Sequence, residues 1–305
     1  MSSNVASSKI TRMSANSWLQ LLLLGVVWGG TFVFAKVAIE EIHPLTLVLL
    51  RVGIAAIALH LYLLYRGPSF TLAFPYMAGF FFLALLNNVI PFSLIFLGQT
   101  ELGAGLASVF YATTPFWTIL VANVLTNDEK FSWNKGLGVL LGIIGTLIMV
   151  GPGLFEGLGG SNWAKLAVIG ASISYAFAVI FAKRFRQIPS SVIATAQLTC
   201  STVIMLPVVL LVVGVNGTFD ASTHVWAAVI ALGLISTALG FILYFNILAS
   251  SGATNASLVT LVVPVSAILL GTLFLGEQLR LYELLGMTII GLGLITIDGR
   301  VFERR

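Results

Sequence analysis

Two adjacent asparagines, Asn87 and Asn88, stand in the middle of an apolar stretch of sequence that runs from about residue 74 to residue 99. In an apolar medium an amide without a hydrogen-bond partner costs on the order of 2–7 kcal/mol, so each of these side chains needs a partner or a wet cavity. Neighbouring side chains on a helix point about 100° apart. We therefore expect at least one of the two amides to face a cavity, where it would bind a polar solute.

Aromatic and hydroxyl side chains also fall halfway along other apolar stretches. Rings suit the apolar part of a small solute, and hydroxyl or amide groups suit its polar part. The candidate substrate-binding residues are Trp28, Asn87, Asn88, Tyr111, Thr114, Ser174, Tyr175, Thr237 and Tyr244. A plainer interpretation stays open for most of them, because Ser and Thr often bond to carbonyls of their own helix and Trp or Tyr often serves packing.

Three prolines stand within the apolar stretches, namely Pro91, Pro115 and Pro264. A proline inside a helix frees a backbone carbonyl and permits a kink. The prolines are candidate hinges, and a fixed bend at each of them is the alternative interpretation.

Charged residues are nearly absent from the middle of the apolar stretches. No Asp or Glu stands there, which disfavours a buried carboxylate of the kind that relays protons in many membrane proteins. Lys36 and Arg51 are expected toward the outer ends of their helices, so a strongly anionic solute would lack a counter-ion at mid-depth. An uncharged or zwitterionic solute with an apolar part fits better. His43, His60 and His224 keep proton coupling open as an alternative.

Motifs for other chemistry are missing from the sequence. It contains no HExxH motif, no Walker A loop and no plausible Ser/His/Asp arrangement. The lone cysteine, Cys200, allows neither a disulfide framework nor a metal cluster. We therefore expect no enzymatic activity, no cofactor and no metal site.

The composition identifies the solvent around these residues. Of the 305 residues, 58% are hydrophobic and 9% are charged, whereas roughly a quarter of a soluble domain is charged. Apolar stretches of about 18 residues or more can cross the ~30 Å hydrocarbon core as helices. Ten stretches qualify or nearly qualify, at about 18–42, 44–65, 74–99, 103–125, 134–151, 163–186, 190–214, 224–249, 253–275 and 281–298. We predict an all-α integral membrane protein with ten transmembrane helices.

An internal repeat relates the two halves of the sequence. The segment GAGLASVFYATTPF, beginning at Gly103, aligns with GATNASLVTLVVPV, beginning at Gly252, and the tripeptide Phe-Ala-Lys recurs at 34–36 and 181–183. Five crossings per unit would insert the second unit upside down relative to the first. The fifth and tenth stretches carry glycines and aliphatic residues at mid-depth, which is typical of closely packed helices.

The repeat sets the expected domain organisation. We predict two inverted five-helix units around a central cavity, which is where inverted-repeat proteins place their binding sites. The expected parts are a cytoplasmic tail at 1–17, a first unit at 18–151, an external linker at 152–162, a second unit at 163–299 and a cytoplasmic tail at 300–305.

The distribution of Lys and Arg predicts the orientation. With the N-terminus in the cytoplasm, eleven of the fifteen basic residues fall on the cytoplasmic side, as the positive-inside rule requires. Both termini are then cytoplasmic and the protein is multi-pass in the cytoplasmic (inner) membrane. The same distribution explains the net charge of +4 without nucleic acid as a partner, so the expected partners are a small-molecule substrate and the lipid bilayer.

These features together resemble a known family. They include Trp28-Gly29-Gly30 ahead of Phe34-Ala35-Lys36, small residues leading into Pro115 and Pro264, and the closing glycine-spaced segment from 276 to 293. The chain resembles the drug/metabolite transporter superfamily over nearly its whole length and, within it, EamA-type exporters of the YddG kind. The resemblance implies a basket of helices 1, 3, 4, 6, 8 and 9 with helices 5 and 10 at the periphery.

The resemblance also implies a function. It points to export of amino acids, including aromatic ones, by alternating access, with Trp28, Tyr111, Thr114, Tyr175 and Tyr244 lining the cavity. Two alternatives stay open, a proton-coupled multidrug exporter and a membrane scaffold or sensor that transports nothing.

Overall fold

The computed structural model describes residues 13–102, 104–129, 131–151, 161–214, 220–275 and 280–298. Within these ranges the chain is helical and contains no strand. Ten helices follow in order: α1 Ala15–Ala38, α2 Pro44–Arg66, α3 Phe70–Glu101, α4 in two pieces (Ala104–Tyr111 and Thr114–Leu125), α5 Trp133–Val150, α6 Asn162–Ala182, α7 Ser190–Val212, α8 Thr223–Ser251, α9 in two pieces (Ala253–Ser257 and Val259–Leu275) and α10 Leu281–Asp298.

The predicted fold class is confirmed. Eight of these helices are long and apolar enough to cross a membrane, and α5 and α10 are shorter apolar helices. Most of the predicted N-terminal tail and of the linker, the whole C-terminal tail and the residues Gly103 and Glu277 lie outside the described residues. The first helix begins at Ala15, three residues before the predicted start. The side of the membrane at which α1 begins is named the N-face, and the other side is named the opposite face.

The two five-helix units interlock. The first helix of each unit packs mainly against the third and fourth helices of the other unit, so that α1 contacts α8 and α9 while α6 contacts α3 and α4. The second helices, α2 and α7, pack against each other. A central space bounded by α1, α3, α4, α6, α8 and α9 is therefore built from both units.

Helices α5 and α10 form a separate, close-packed pair. A Cβ atom added at Gly286 would lie 2.5 Å from the carbonyl oxygen of Gly145, and one added at Gly138 would lie 2.6 Å from that of Gly293. Only glycine permits backbones to approach so closely, as in other small-residue helix pairs in membranes. The pair stands beside the central space and contributes no residue to the cavities within it.

Both units carry a π-helical segment in their third helix. The segments are Leu85–Val89 in α3 and Leu232–Leu239 in α8. Their starts are related by the same offset that relates Lys36 to Lys183 in the sequence repeat. A π segment shifts backbone carbonyls out of the regular hydrogen-bond pattern, and such segments are frequent at functional sites.

Candidate functional site

Two cavities lie in series between the units. The first is named the Arg51 cavity, occupies about 470 Å³ and lies toward the opposite face, against the later half of α3. The second is named the Asn87 cavity, occupies about 310 Å³ and lies toward the N-face, against the start of α9. Both are narrow, so each admits only a few water molecules.

Four rings, Trp28, Tyr111, Tyr175 and Tyr244, separate the two cavities and are named the aromatic layer. The ring centroids of Trp28 and Tyr244 are 5.5 Å apart, and those of Tyr111 and Tyr175 are 5.7 Å apart. Trp28, Tyr111 and Tyr175 line both cavities. All four rings are among the candidates predicted from the sequence, and the structure brings them together at the crossing of α1, α4, α6 and α8.

Arg51 of α2 reaches into the cavity that carries its name. Its side chain is 4% exposed, and its Nε donates a hydrogen bond of 2.7 Å to Thr237 Oγ1. Its guanidinium carbon lies 3.9 Å from the centre of the Phe92 ring. No carboxylate of the described residues lies within 4 Å of it. The expectation that Arg51 stays at a helix end, away from the cavity, is wrong, because its long side chain extends inward from α2.

Two more polar side chains line the Arg51 cavity without partners among the described residues. Gln99 is fully buried, and neither its amide nitrogen nor its amide oxygen makes a hydrogen bond. The hydroxyl of Thr31 is also buried and unpaired. Buried polar groups are nearly always hydrogen-bonded in native structures, so unpaired ones that face a cavity indicate a ligand or ordered water.

The two asparagines face helix α7. Asn87 Nδ2 donates to Gln197 Oε1 at 3.0 Å, and Asn88 Nδ2 donates to Ser201 Oγ at 2.8 Å. Asn87 also lines the Asn87 cavity, whereas Asn88 lines neither cavity. Asn88 thus joins α3 to α7.

The hydroxyl candidates hold the backbone at the helix crossings. Ser174 Oγ donates to the Leu86 carbonyl at 2.7 Å, inside the π segment of α3. Thr114 lines the Asn87 cavity and donates to the Tyr111 carbonyl of its own helix. Thr237 donates to the Leu232 carbonyl and accepts from Arg51, so it positions the guanidinium.

The α8 π segment is also tied to α1. Trp28 Nε1 donates to the Ser236 carbonyl at 2.9 Å, and Ser236 Oγ donates to the Val27 carbonyl at 3.3 Å. The first helix of each unit is therefore hydrogen-bonded to the π segment of the other unit. These bonds hold the Trp28 and Tyr175 rings at the centre of the molecule.

The three candidate hinge prolines occupy different positions in their helices. Pro91 lies two residues after the end of the π segment of α3, and Pro115 lies two residues after the break at 112–113 in α4. Pro264 lies inside the continuous part of α9, whose break is at Leu258. Of the three, Pro91 and Pro115 stand next to an interruption of the helix.

Four residues that line the Arg51 cavity were not among the sequence candidates, namely Arg51, Gln99, Phe92 and Phe96. A signal for Arg51 was available, since an ionisable residue within a membrane helix is functional by default. Gln99 stands close to Glu101 at the end of an apolar stretch, a position typical of a helix end.

An ion-paired network ties the units together at the N-face and is named the N-face latch. Glu129, in the loop after α4, accepts hydrogen bonds from the backbone nitrogens of Ala253 and Thr254 at 2.8 Å each. The Oε1 atom of Glu129 also lies 3.0 Å from Nζ of Lys183, the residue that follows α6. The same ammonium group lies 2.6 Å from Oδ2 of Asp128. Burial raises the pKa of Glu129, but the hydrogen bonds from Thr254 and Ala253 outweigh it and hold that pKa below its ordinary value.

Ten membrane helices in two inverted units, enclosing partly polar cavities and a buried aromatic layer, are the architecture of a membrane transporter. The chain belongs to the EamA-like transporter family, whose model matches residues 16–151 and again residues 162–297. Each match covers one of the two units.

Similar proteins span nearly the same length. An uncharacterized transporter of Bacillus subtilis (strain 168), YoaV, is 27% identical over 94% of this chain and 98% of its own. An uncharacterized inner membrane transporter of Escherichia coli (strain K12), YedA, is 26% identical over 93% of this chain and 92% of its own. A protein of known crystal structure superposes with a TM-score of 0.77 at 16% identity, covering 96% of this chain and 100% of its own, which shows a common fold.

Proposed function

We propose that this transporter exports small metabolites, chiefly amino acids with aromatic or other apolar side chains, by alternating access and without proton coupling. The observation that carries the proposal is the aromatic layer between two small cavities, at the point where the inverted units cross. The rings offer contacts for an apolar side chain, and polar groups of the two cavities surround them. The likeness to exporters of the YddG kind stays a prediction from the sequence.

The arrangement suggests how the site would change sides. The N-face latch joins α4, α6 and α9 below the Asn87 cavity, so in this conformation it opposes passage to the N-face. Because each first helix packs on the other unit, tilting one unit against the other would open one end of the cavity series as it narrows the other. The nearby interruptions at Pro91 and Pro115 are the candidate hinges.

The orientation belongs to the same proposal. The positive-inside rule places the N-face in the cytoplasm, and the relative from Escherichia coli is named an inner membrane transporter. Export would then start from the N-face and release the substrate at the opposite face.

Counterflow in proteoliposomes tests the proposal. Vesicles preloaded with unlabelled L-phenylalanine or L-leucine should accumulate the labelled compound with no imposed proton gradient, and a protonophore should leave the rate unchanged. Protein-free vesicles serve as the control, and vesicles with the Tyr111→Ala variant should accumulate the labelled compound more slowly. A strict requirement for a proton gradient, or flux of cationic dyes with none of amino acids, would favour a proton-coupled multidrug exporter. No flux of any kind would favour a scaffold or sensor.

A further inference from the structure

The charge of Arg51 is not balanced by any carboxylate of the described residues. The side chain is buried, and among the described residues its one hydrogen bond is the one that Nε donates to Thr237. The Phe92 ring stabilises the cation from one face. A charge buried in a membrane protein is normally paired or turned toward a water-filled path, and here no carboxylate within the described ranges pairs with it.

The described residues leave the carboxylate-binding edge of the guanidinium free. An arginine has five N–H donors, and Thr237 takes only the one on Nε. The two terminal nitrogens carry the other four, and such a pair binds the two oxygens of a carboxylate side by side. Phe92 covers a face of the guanidinium plane, so a ligand would approach along its edge.

Gln99 supplies the second, independent observation. It lines the same cavity, is fully buried, and has both an unused donor and an unused acceptor. An amide of this kind can donate to a carboxylate and accept from an ammonium group. The unpaired hydroxyl of Thr31 adds a third polar contact on the same wall.

The remaining wall of the cavity is apolar. Phe92, Phe96, Phe241 and Trp28 line it with ring surfaces. A ligand that satisfies the whole wall carries an anionic group, a hydrogen-bonding group close to it and an apolar side chain. A cationic drug would instead meet the unbalanced charge of Arg51.

We propose that the Arg51 cavity is the substrate's carboxylate subsite, with Arg51 as counter-ion and Gln99 contacting the neighbouring amino group, so that the substrates are small α-amino acids with a free carboxylate. The inference rests on the proposed amino-acid export and narrows its substrate class. It excludes amines, amino amides and cationic drugs.

The test compares substrates that differ only in the carboxylate. Purified full-length protein in proteoliposomes is assayed by counterflow with L-phenylalanine and with L-phenylalaninamide. Wild type should prefer phenylalanine at least tenfold. Arg51→Gln should raise the KM for phenylalanine by about 10- to 100-fold, the range expected for a hydrogen bond to a charged group, and should abolish the preference over the amide. Arg51→Lys should restore part of it, because the charge is kept and the paired donors are lost.

Arg184→Gln is the matched control. Arg184 lies 3.8 Å over the ring of Phe181, much as Arg51 lies over Phe92, but it is outside both cavities. This variant should transport phenylalanine with an unchanged KM and unchanged preference. A preference for phenylalanine over its amide that survives in folded Arg51→Gln would overturn the inference while leaving amino-acid export intact.

A binding measurement separates the two proposals. If wild type shows no amino-acid flux, the proposed function fails, and the subsite is then judged by thermal shift with lactate, 3-phenylpropionate and their amides. Stabilisation of wild type, but not of Arg51→Gln, by the acids alone would support a carboxylate subsite for other substrates. Equal responses of the two proteins would overturn it. Gln99→Leu should weaken phenylalanine binding in the same assays, and full retention of wild-type affinity by Gln99→Leu would contradict its role.

Discussion

At the residue scale, Glu129 concentrates more interactions than any candidate in the cavities. Its carboxylate bonds two backbone nitrogens at the start of α9, the Thr254 hydroxyl at 2.7 Å and the ammonium of Lys183. Glu129 belongs to the first unit, and all of these donors belong to the second. Loss of this one charge should therefore loosen the closure of the N-face without touching the substrate.

Glu129→Gln should raise access to the Asn87 cavity from the N-face. A cysteine introduced at Thr260, which lines that cavity, reports access to a membrane-impermeant maleimide in a Cys200→Ser background. We expect labelling to increase about tenfold, the effect of losing about 1.4 kcal/mol from a charge-assisted network. Asp128→Asn is the control, because Asp128 is largely exposed and an exposed ion pair contributes little. Equal labelling in both variants would contradict the latch.

The same carboxylate predicts a pH dependence. Because the folded-state pKa of Glu129 is lowered, its contribution is complete above the ordinary glutamate value and is lost as the pH falls through the lowered one. Because a maleimide reacts with the thiolate, the labelling rate of the Thr260→Cys reporter is divided at each pH by that of the same reporter in Glu129→Gln. This ratio should stay constant from pH 8 to about 5 and rise toward one only below the ordinary glutamate pKa of about 4.3. An increase already near pH 6 would assign the opening to another group.

Asn88 and Tyr111 should respond differently to replacement by alanine. Asn88→Ala removes a bond to α7 away from the cavities, so it should lower the free energy of unfolding by about 1 kcal/mol with KM unchanged. Tyr111→Ala removes a ring from the aromatic layer and should raise KM about three- to tenfold. Thermal unfolding and counterflow measured on the same preparations decide, and a raised KM in folded Asn88→Ala would return that residue to the site.

The sequence indicated the aromatic layer better than it indicated the polar groups. When helices enclose a cavity, large aromatic rings halfway along them often form part of the cavity wall, so residue type and position were enough to predict them. For the asparagines, the sequence predicted that at least one amide faces a cavity, and Asn87 lines one. It did not predict that both amides also bond to α7 from within a π segment. Arg51 was assigned by the depth of its backbone, although a long side chain can cross several ångströms inward.

At the element scale, the two glycine-rich helices α5 and α10 form the most extensive contact among the described helices. Their glycines predicted close packing, but nothing in the spacing named the partner. The pair α5 and α10 is related by the repeat, so each helix meets its own counterpart backbone to backbone. The π segments could not be predicted from the sequence, because their backbone carbonyls are bonded by side chains of the other unit, such as Ser174 and Trp28.

Two glycines on α10 allow a matched test of that contact. A methyl group at Gly286 would lie 2.5 Å from the Gly145 carbonyl oxygen, whereas one at Gly291 meets nothing within 4 Å. Gly286→Ala should lower the free energy of unfolding by about 1–3 kcal/mol through overpacking, and Gly291→Ala should be neutral or stabilising through helix propensity. Thermal unfolding in one detergent measures both. Equal free energies of unfolding for the two variants would show that α5 and α10 can move apart without loss of stability.

At the scale of the whole molecule, ten crossings would put both ends of the chain on one side of the membrane. The excess of basic residues predicts that this side is the cytoplasm. Fusions of a fluorescent protein to either end should both fluoresce, and fusions of alkaline phosphatase to either end should both be inactive. Opposite results at the two ends would require an odd number of crossings and would remove the inverted relation of the units.

Because the first helix of each unit packs on the other unit, the two halves depend on each other to form the central space. Neither half encloses a chamber alone, because each supplies the wall that the other lacks. A single half could complete the enclosure only by meeting a second copy of itself inserted in the opposite sense. The covalent connection between the halves thus fixes a pairing that two separate, antiparallel copies could in principle make by themselves.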